Sequence, residues 1–363
     1  MTKNEYLIEL AKKLQALHVD TDALYPETRR LVGFYQEMIE DRIEDGLTEA
    51  EAVAGMEPVE EIVARVRGEF STTADDAEGA APADGAEEPH TTARASGKYT
   101  HMTKTFKSAD VARITVADMN RALRVYAGDA VAIEYVDGPD GHYEVSLEGG
   151  ELIVRFQPEF SWLRPFFGIR APKDTTFKLT VPRDFAGLLD LRTTNGSVTA
   201  SRITAEGLTL RSSNGKLTAE EIRVSGNLHL KTTNGGVSVR ALAAREITCE
   251  TTNGRLEAED VAAVGAAVLT TVNGANSARG VAGEGVRIET RNGHLSVAGI
   301  RGDAIYLASS NGAITGSVCG KLEDYAVSSR TSNGKSNLPA ASEGEKQLEV
   351  RTSNARIDIS FEG

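Results

Sequence analysis

The amino-acid sequence predicts an α+β multidomain chain: a small helical bundle, a linker, short antiparallel strands and then a β-solenoid (β-helix) of ~20-residue coils. Three observations carry that expectation. Apolar residues recur at i, i+3 and i+4 only within the first 70 residues. From Tyr99 the apolar period becomes two. Finally, a phrase of hydroxyl residues followed by Asn-Gly returns at Asn195, Asn214, Asn234, Asn253, Asn273, Asn292, Asn311 and Asn333, and a last copy, Asn354-Ala355, lacks the glycine. Successive copies lie 19, 20, 19, 20, 19, 19, 22 and 21 residues apart, and so regular a step marks a repeat architecture.

Residues 1–70 read as four amphipathic helices. Tyr6, Leu7, Leu10, Ala11 and Leu14 make one apolar stripe. A second helix is expected from about residue 26 to 45, with Leu31, Phe34, Tyr35, Met38, Ile39 and Ile43 inward and Gly46 as its stop. Thr48-Glu49-Ala50-Glu51 is a capping-box signature that opens a short third helix. A fourth begins near Pro58 and carries Val59, Ile62, Val63 and Val66. The run from Tyr35 to Gly46, with Glu49 to Val53 and Glu60-Glu61-Ile62, resembles the bacterial HAAS signalling domain across these 70 residues. Met56 stands where that family has a Gly two residues before the Pro, with Gly55 one place earlier. The resemblance implies an intracellular signalling or interaction unit without enzyme activity.

Residues 71–98 are small and acidic, with no aliphatic larger than Ala, and are expected to be a disordered linker. From residue 99 to the end, 363, a β-strand-repeat region follows. Its opening strands hold Ala112-Ile114-Val116, Val125, Ile133-Tyr135, Val145-Leu147 and Leu152-Val154-Phe156. Asp137-Gly138 to Gly141 and Glu148-Gly149-Gly150 are turns between them.

Aligned on its Asn, the repeat has a definite inside. Positions two, four and six residues before the Asn hold Thr193, Leu191 and Leu189 in the first copy, and the later copies repeat that Thr/Ser-and-aliphatic pattern. Strand alternation places the three rows on one face. The position three after is mostly apolar too (Val198, Leu217, Val237, Leu256), with Asn276 and Ser336 as departures. Asn-Gly between alternating strands is also a hairpin signal, so a hairpin series is the competing fold. The near-constant step favours stacked coils, each spanning about 65 Å of backbone at ~3.3 Å per residue. In that arrangement Gly is expected to take a positive-φ corner, and the eight Asn to form an inward structural ladder of amide hydrogen bonds. Residues 105–361 resemble the bacterial "putative adhesin" family of β-strand-repeat proteins, once a domain of unknown function. The resemblance implies the fold, and surface binding only if an export route exists.

Composition narrows the function classes. The net charge of -13 is uneven: residues 1–70 hold 8 basic and 16 acidic side chains, and residues 99–363 hold 30 and 31. No clustered positive excess suits nucleic acid. The two cysteines, Cys249 and Cys319, are far apart on apolar repeat positions, which leaves no disulfide framework and no metal site; no cofactor is expected. With no signal-peptide pattern and no long apolar run, the expectation is a cytoplasmic protein without a transmembrane segment.

Two candidate interaction sites stand out. Three residues before each Asn, an outward row begins Arg192, Arg211, Lys231, with Lys216, Arg240 and Arg255 expected nearby. It suits an anionic partner, or docking of the acidic bundle itself through the linker. The common alternative is a solvated, salt-screened face. The segment Phe160 to Gly168, with Trp162, Phe166 and Phe167, is either a cap closing the first coil or an exposed anchor. No Gly-x-Ser-x-Gly, P-loop or His-Glu-x-x-His is present, and pairs such as Glu220-Glu221 and Glu259-Asp260 lack a recurring companion. The reading is therefore a non-catalytic binding or scaffold protein with a protein partner, regulatory or through self-association. A carbohydrate-active β-helix enzyme and a surface adhesin are the alternatives.

Overall fold

The computed structural model describes residues 2–15, 47–56, 58–63, 90–96, 99–138, 140–158 and 175–363, with short pieces at 32–33, 35–36, 38–40 and 42–43. Most of the expected second helix, the end of the fourth with Val66, and residues 71–89 lie outside this set. Two units are present, one helical and one β.

In the helical unit, α1 (Lys3–Gln15) buries Tyr6, Leu7, Leu10 and Leu14, the stripe its spacing predicts. Helix α2 (Glu49–Ala54) starts at the expected capping box: the Glu51 amide donates to the Thr48 hydroxyl, and the Thr48 amide donates 2.9 Å to the Glu51 carboxylate. Leu10, Ile39, Ala52 and Ile62 are fully buried at the centre. Ile43, expected inward, is 36% exposed.

The β unit is a solenoid. Among the described residues its strands form a 14-stranded and a 12-stranded sheet. Each coil places the residues before its Asn in the smaller sheet, turns at Asn-Gly, and runs into the larger sheet. Thus β9 (Leu188–Thr193), β12 (Gly207–Ser212), β14 (Asn227–Thr232) and β16 (Glu246–Thr251) stack in parallel. The register sets Leu191, Leu210, Leu230 and Cys249 in one row. Parallel pairing rules out the hairpin series. One continuous core runs between the sheets from Phe106 to Ile359.

The corner differs from its expected form in two respects. The Asn side chains lie at exposed positions, not inward, yet they form a ladder: each Nδ2 donates 2.6–2.8 Å to the Oδ1 of the neighbouring rung. The corner glycines do not have positive φ. Their requirement is space, because an ideal Cβ on Gly215, Gly235 or Gly254 would lie 1.7–1.9 Å from the carbonyl oxygen of the glycine one coil back. Positive φ occurs instead seven residues after the Asn, at Arg202, Glu221, Ala241, Asp260, Gly280 and Gly299. There a second bend resets the alternation: in β13 (Leu217–Val224), Leu217, Ala219, Ile222 and Val224 are all buried.

The solenoid also begins earlier than expected. Strands β3 (Arg113–Asp118) and β4 (Leu123–Gly128) were expected among antiparallel strands, but they pair in parallel with β9 and with β10 (Val198–Ser201). Ile114, Val116, Asp118, Asn120 and Leu123 occupy the repeat's positions, with Asp118 where Thr stands elsewhere. Arg121 takes the corner-glycine position, and its guanidinium lies 4.3 Å from the centre of the Phe156 ring. Antiparallel pairing joins β6 (Gly141–Glu148) to β7 (Glu151–Pro158), and residues 131–137 both to 100–106 and to 178–180.

The expected linker is shortened, because His90–Ser96 form β1, antiparallel to β2 (Tyr99–Phe106) at the sheet edge. Thr91 to Arg94 are exposed, so backbone hydrogen bonds suffice and the missing aliphatics do not forbid a strand. At the far end the coils are out of chain order. The strand β25 (Lys346–Thr352) lies between β22 (Ala304–Ala308) and β24 (Tyr325–Thr331), so the Asn ladder reads 311, 354, 333. The side-chain amide of Asn337 pairs with the edge at Ile359, donating 2.8 Å to its carbonyl and accepting 3.0 Å from its N–H, which blunts that edge.

Candidate functional site

Strand alternation turns Leu189 and Leu191 inward and Asp190 and Arg192 outward on β9. The in-register neighbours on β12 and β14 then set Arg192, Arg211 and Lys231 side by side on the outer face of the 12-stranded sheet, about 4.8 Å apart from strand to strand. Two strands further, Arg155 of β7 extends the same row beyond Ala117. On the other side Glu250 follows Lys231. Arg192 is gripped by Asp190, with its Nε 3.0 Å from Oδ1 and an Nη 2.7 Å from Oδ2. The pair fixes the guanidinium in a plane along the strand. Further along the sheet Arg287 lies 4.2 Å from the centre of the Tyr306 ring and 2.5 Å from Glu289.

Arg240, expected beside this row, is on the opposite sheet. It pairs with Glu220 there, and in register the row reads Glu220, Arg240, Glu259, Arg279, alternating in sign. That row alternates in sign, whereas the 192–211–231 row has three like charges in succession, the first of them paired with Asp190. Lys216 and Arg255 sit exposed at the corners, two residues after their Asn. Trp162, Phe166 and Phe167 lie outside the described residues.

A shallow groove of about 480 Å³ opens on the larger sheet among Asp260, Arg279, Gly280, Gly299, Arg301 and Cys319. The Arg301 Nε donates 3.2 Å to the Cys319 sulfur. Another hollow, of about 450 Å³, lies in the helical unit beside Tyr6, Val53, Met56 and Val59. Among the described residues no cluster of His, Cys, Asp and Glu has the form of a metal site, and no helix is long and apolar enough to cross a membrane.

One buried polar network is marked by no sequence motif. Asp118 accepts from the backbone N–H of Asn120 (2.8 Å) and Arg121 (2.7 Å) and from the Tyr143 hydroxyl, while Arg121 reaches Asp140 at 2.8 Å. Burial pushes the Asp118 carboxyl up, against those hydrogen bonds, and pushes the Tyr143 phenol up as well. The network ties the corner of the first coil to Tyr143 on β6 and to Asp140 just before it. The match of residues 114–123 to the repeat rows was the signal that could have exposed it.

Parallel coils of about twenty residues, two facing sheets and a hydroxyl-Asn-Gly corner define a β-solenoid repeat protein. The chain belongs to the Toastrack DUF4097 family, whose model matches residues 111–360. No curated protein sequence matches it. Similar solved structures include a "putative adhesin" from Parabacteroides distasonis (13% identity, TM-score 0.39) and one from Bacteroides fragilis (12%, 0.37); each covers 73% of this chain and 98% of its own. A "putative cell adhesion protein" from Clostridium sporogenes is 7% identical, with a TM-score of 0.24, over 73% of this chain and all of its own.

Proposed function

We propose that this protein is a non-catalytic binding scaffold whose solenoid takes an extended, acidic partner along the outer face of the 12-stranded sheet. The supporting observation is the in-register succession Arg192, Arg211, Lys231 on three adjacent strands. A parallel sheet holds this row rigidly, so little ordering remains to be done when a linear anion lies across it. The acidic helical unit, with its resemblance to HAAS domains, is the regulatory protein-binding part of the same proposal. A cytoplasmic location belongs to it as well, and cell fractionation tests it: recovery in the envelope fraction would contradict it.

Titration of the full chain with poly-L-glutamate, followed by fluorescence anisotropy, tests the strip. The expected result is binding that weakens with salt and drops ~10-fold or more in the Arg192→Ala, Arg211→Ala, Lys231→Ala triple variant. Equal affinity in the variant would remove the strip from the account. For the helical unit, a pull-down in which deletion of residues 1–70 loses no partner sinks the regulatory role.

A further inference from the structure

Asn-Gly is the dipeptide most prone to spontaneous deamidation, because an unhindered glycine nitrogen can reach the preceding side-chain carbonyl. Eight such pairs stand at exposed corners of this fold, so burial does not shield them. From the hydrogen bonding of these corners we propose that Asn333 is the chain's deamidation site, and that a ladder rung on both sides, acting together with the hydroxyl two residues before each Asn, protects the seven pairs further in.

At every inner corner four restraints act together. The glycine N–H, the group that must lose its proton to attack, donates to the Thr or Ser hydroxyl, from 2.8 Å at Gly215 to 3.3 Å at Gly196. The glycine carbonyl accepts from the next coil's hydroxyl, as Gly215 does from Thr232 at 3.1 Å and Gly235 from Thr251 at 2.8 Å. The Asn Nδ2 donates to the rung on one side, and its Oδ1 accepts from the rung on the other, as Asn234 does with Asn214 and Asn253. With both ends of the amide held, the side chain cannot swing its Cγ toward the glycine nitrogen.

The outermost corner has only half of this. Gly334 donates 3.1 Å to Thr331, and Asn333 donates 2.7 Å to Asn354. Among the described residues no further rung donates to the Asn333 Oδ1, and no further coil's hydroxyl donates to the Gly334 carbonyl. Here the reaction needs only water. The Gly334 nitrogen gives up its proton and bonds to the Asn333 Cγ, the Cγ–Nδ2 bond breaks, and Nδ2 leaves as ammonia. Water then opens the ring at either carbonyl, giving Asp or isoAsp with no change of oxidation state. The product lacks the donor that faces Asn354, so the last rung of the ladder is lost.

The test is peptide mapping by mass spectrometry, with isoaspartyl methyltransferase labelling, after incubation of the full chain at mildly alkaline pH in buffer and in concentrated urea. In urea all eight pairs are expected to react at comparable rates. In buffer Asn333 is expected first, with the inner seven slowed at least ~10-fold relative to it, the factor that one hydrogen bond of ordinary strength supplies, here the bond onto the Asn Oδ1 that every inner pair has and Asn333 lacks among the described residues. Thr251→Val should accelerate Asn253, whose glycine N–H it frees, most, and Asn234, whose Gly235 carbonyl loses its donor, to a lesser degree, whereas Thr251→Ser, which keeps the hydroxyl found naturally at Ser212 and Ser309, should accelerate neither. Inner pairs reacting in buffer as fast as in urea, or ahead of Asn333, would overturn the proposal without recourse to any variant.

Discussion

Each corner glycine is fixed by crowding, and that makes its replacement costly in a way that strand glycines are not. A Cβ at Gly254 would meet the Gly235 carbonyl oxygen at 1.8 Å, backbone against backbone, whereas one at Gly285 meets nothing within 4 Å. Gly254→Ala is expected to lose about 3 kcal/mol, at the upper end of overpacking costs, and Gly285→Ala to be neutral or slightly stabilising; urea unfolding separates them. The thiols divide similarly. Burial pushes the Cys249 thiol up to about 12, and Cys319 is only half-buried. In the native chain a thiol reagent should label Cys319 alone, with Cys249 reacting only on unfolding. At Asp118 burial raises the folded pKa above that of a free carboxyl, so the ionised form disfavours the fold. The stability it contributes is present at acid pH and is lost as pH rises through the folded pKa. The difference in unfolding free energy between wild type and Asp118→Asn should therefore fall as pH rises from about 4, a trend that urea midpoints measured across pH will show or refute. At this scale the sequence betrayed the identity of the corner residues but not their reasons. Glycine for positive φ and glycine for close approach look alike in a sequence, and only the neighbouring coil tells them apart.

Among the elements, the bend seven residues past six of the repeat Asn residues, Asn195 to Asn292, is the least visible in the sequence. It carries Arg202, Glu221, Ala241 and Asp260 in left-handed conformations that glycine adopts freely at the equivalent 280 and 299. A left-handed non-glycine costs about 1–2 kcal/mol, and glycine's greater chain entropy returns part of that. Ala241→Gly is thus expected to raise stability by up to ~1 kcal/mol; a loss of the size usual for glycine inside a strand would mean the bend is not strained there. No composition rule marks this position, because its residues share a backbone angle and no side-chain chemistry. The capping box at Thr48 is the opposite case, since its two residues make the contact themselves. Strand β1 shows a further limit: an exposed edge strand needs no aliphatic residue, so a polar segment that reads as linker can still pair.

For the whole molecule, the repeat step made the solenoid legible, and its final irregularity, 22 and 21 instead of 19 or 20, coincides with the out-of-order coil. The basic row was legible as chemistry because alternation alone orients it. That Arg240 faces away from it was not, since the second bend decides which sheet each residue joins. Because β25 lies inside the stack, a chain ending at residue 345 loses an internal rung along with the partner of Asn337. Its Tm should fall by about 10 °C or more, which at ~2–4 °C per kcal/mol corresponds to several kcal/mol; an unchanged Tm would mean that the last coil is peripheral. The binding proposal stands at this scale, since it depends on three like charges following one another on adjacent strands of one sheet, while the row on the other sheet alternates in sign. Carbodiimide coupling of poly-L-glutamate to the full chain, with peptide mapping of the coupled lysines, tests it most directly. The account predicts coupling concentrated at Lys231 and depleted at Lys178, which pairs with Glu134 on the other sheet. Coupling at Lys178 equal to that at Lys231 would contradict it.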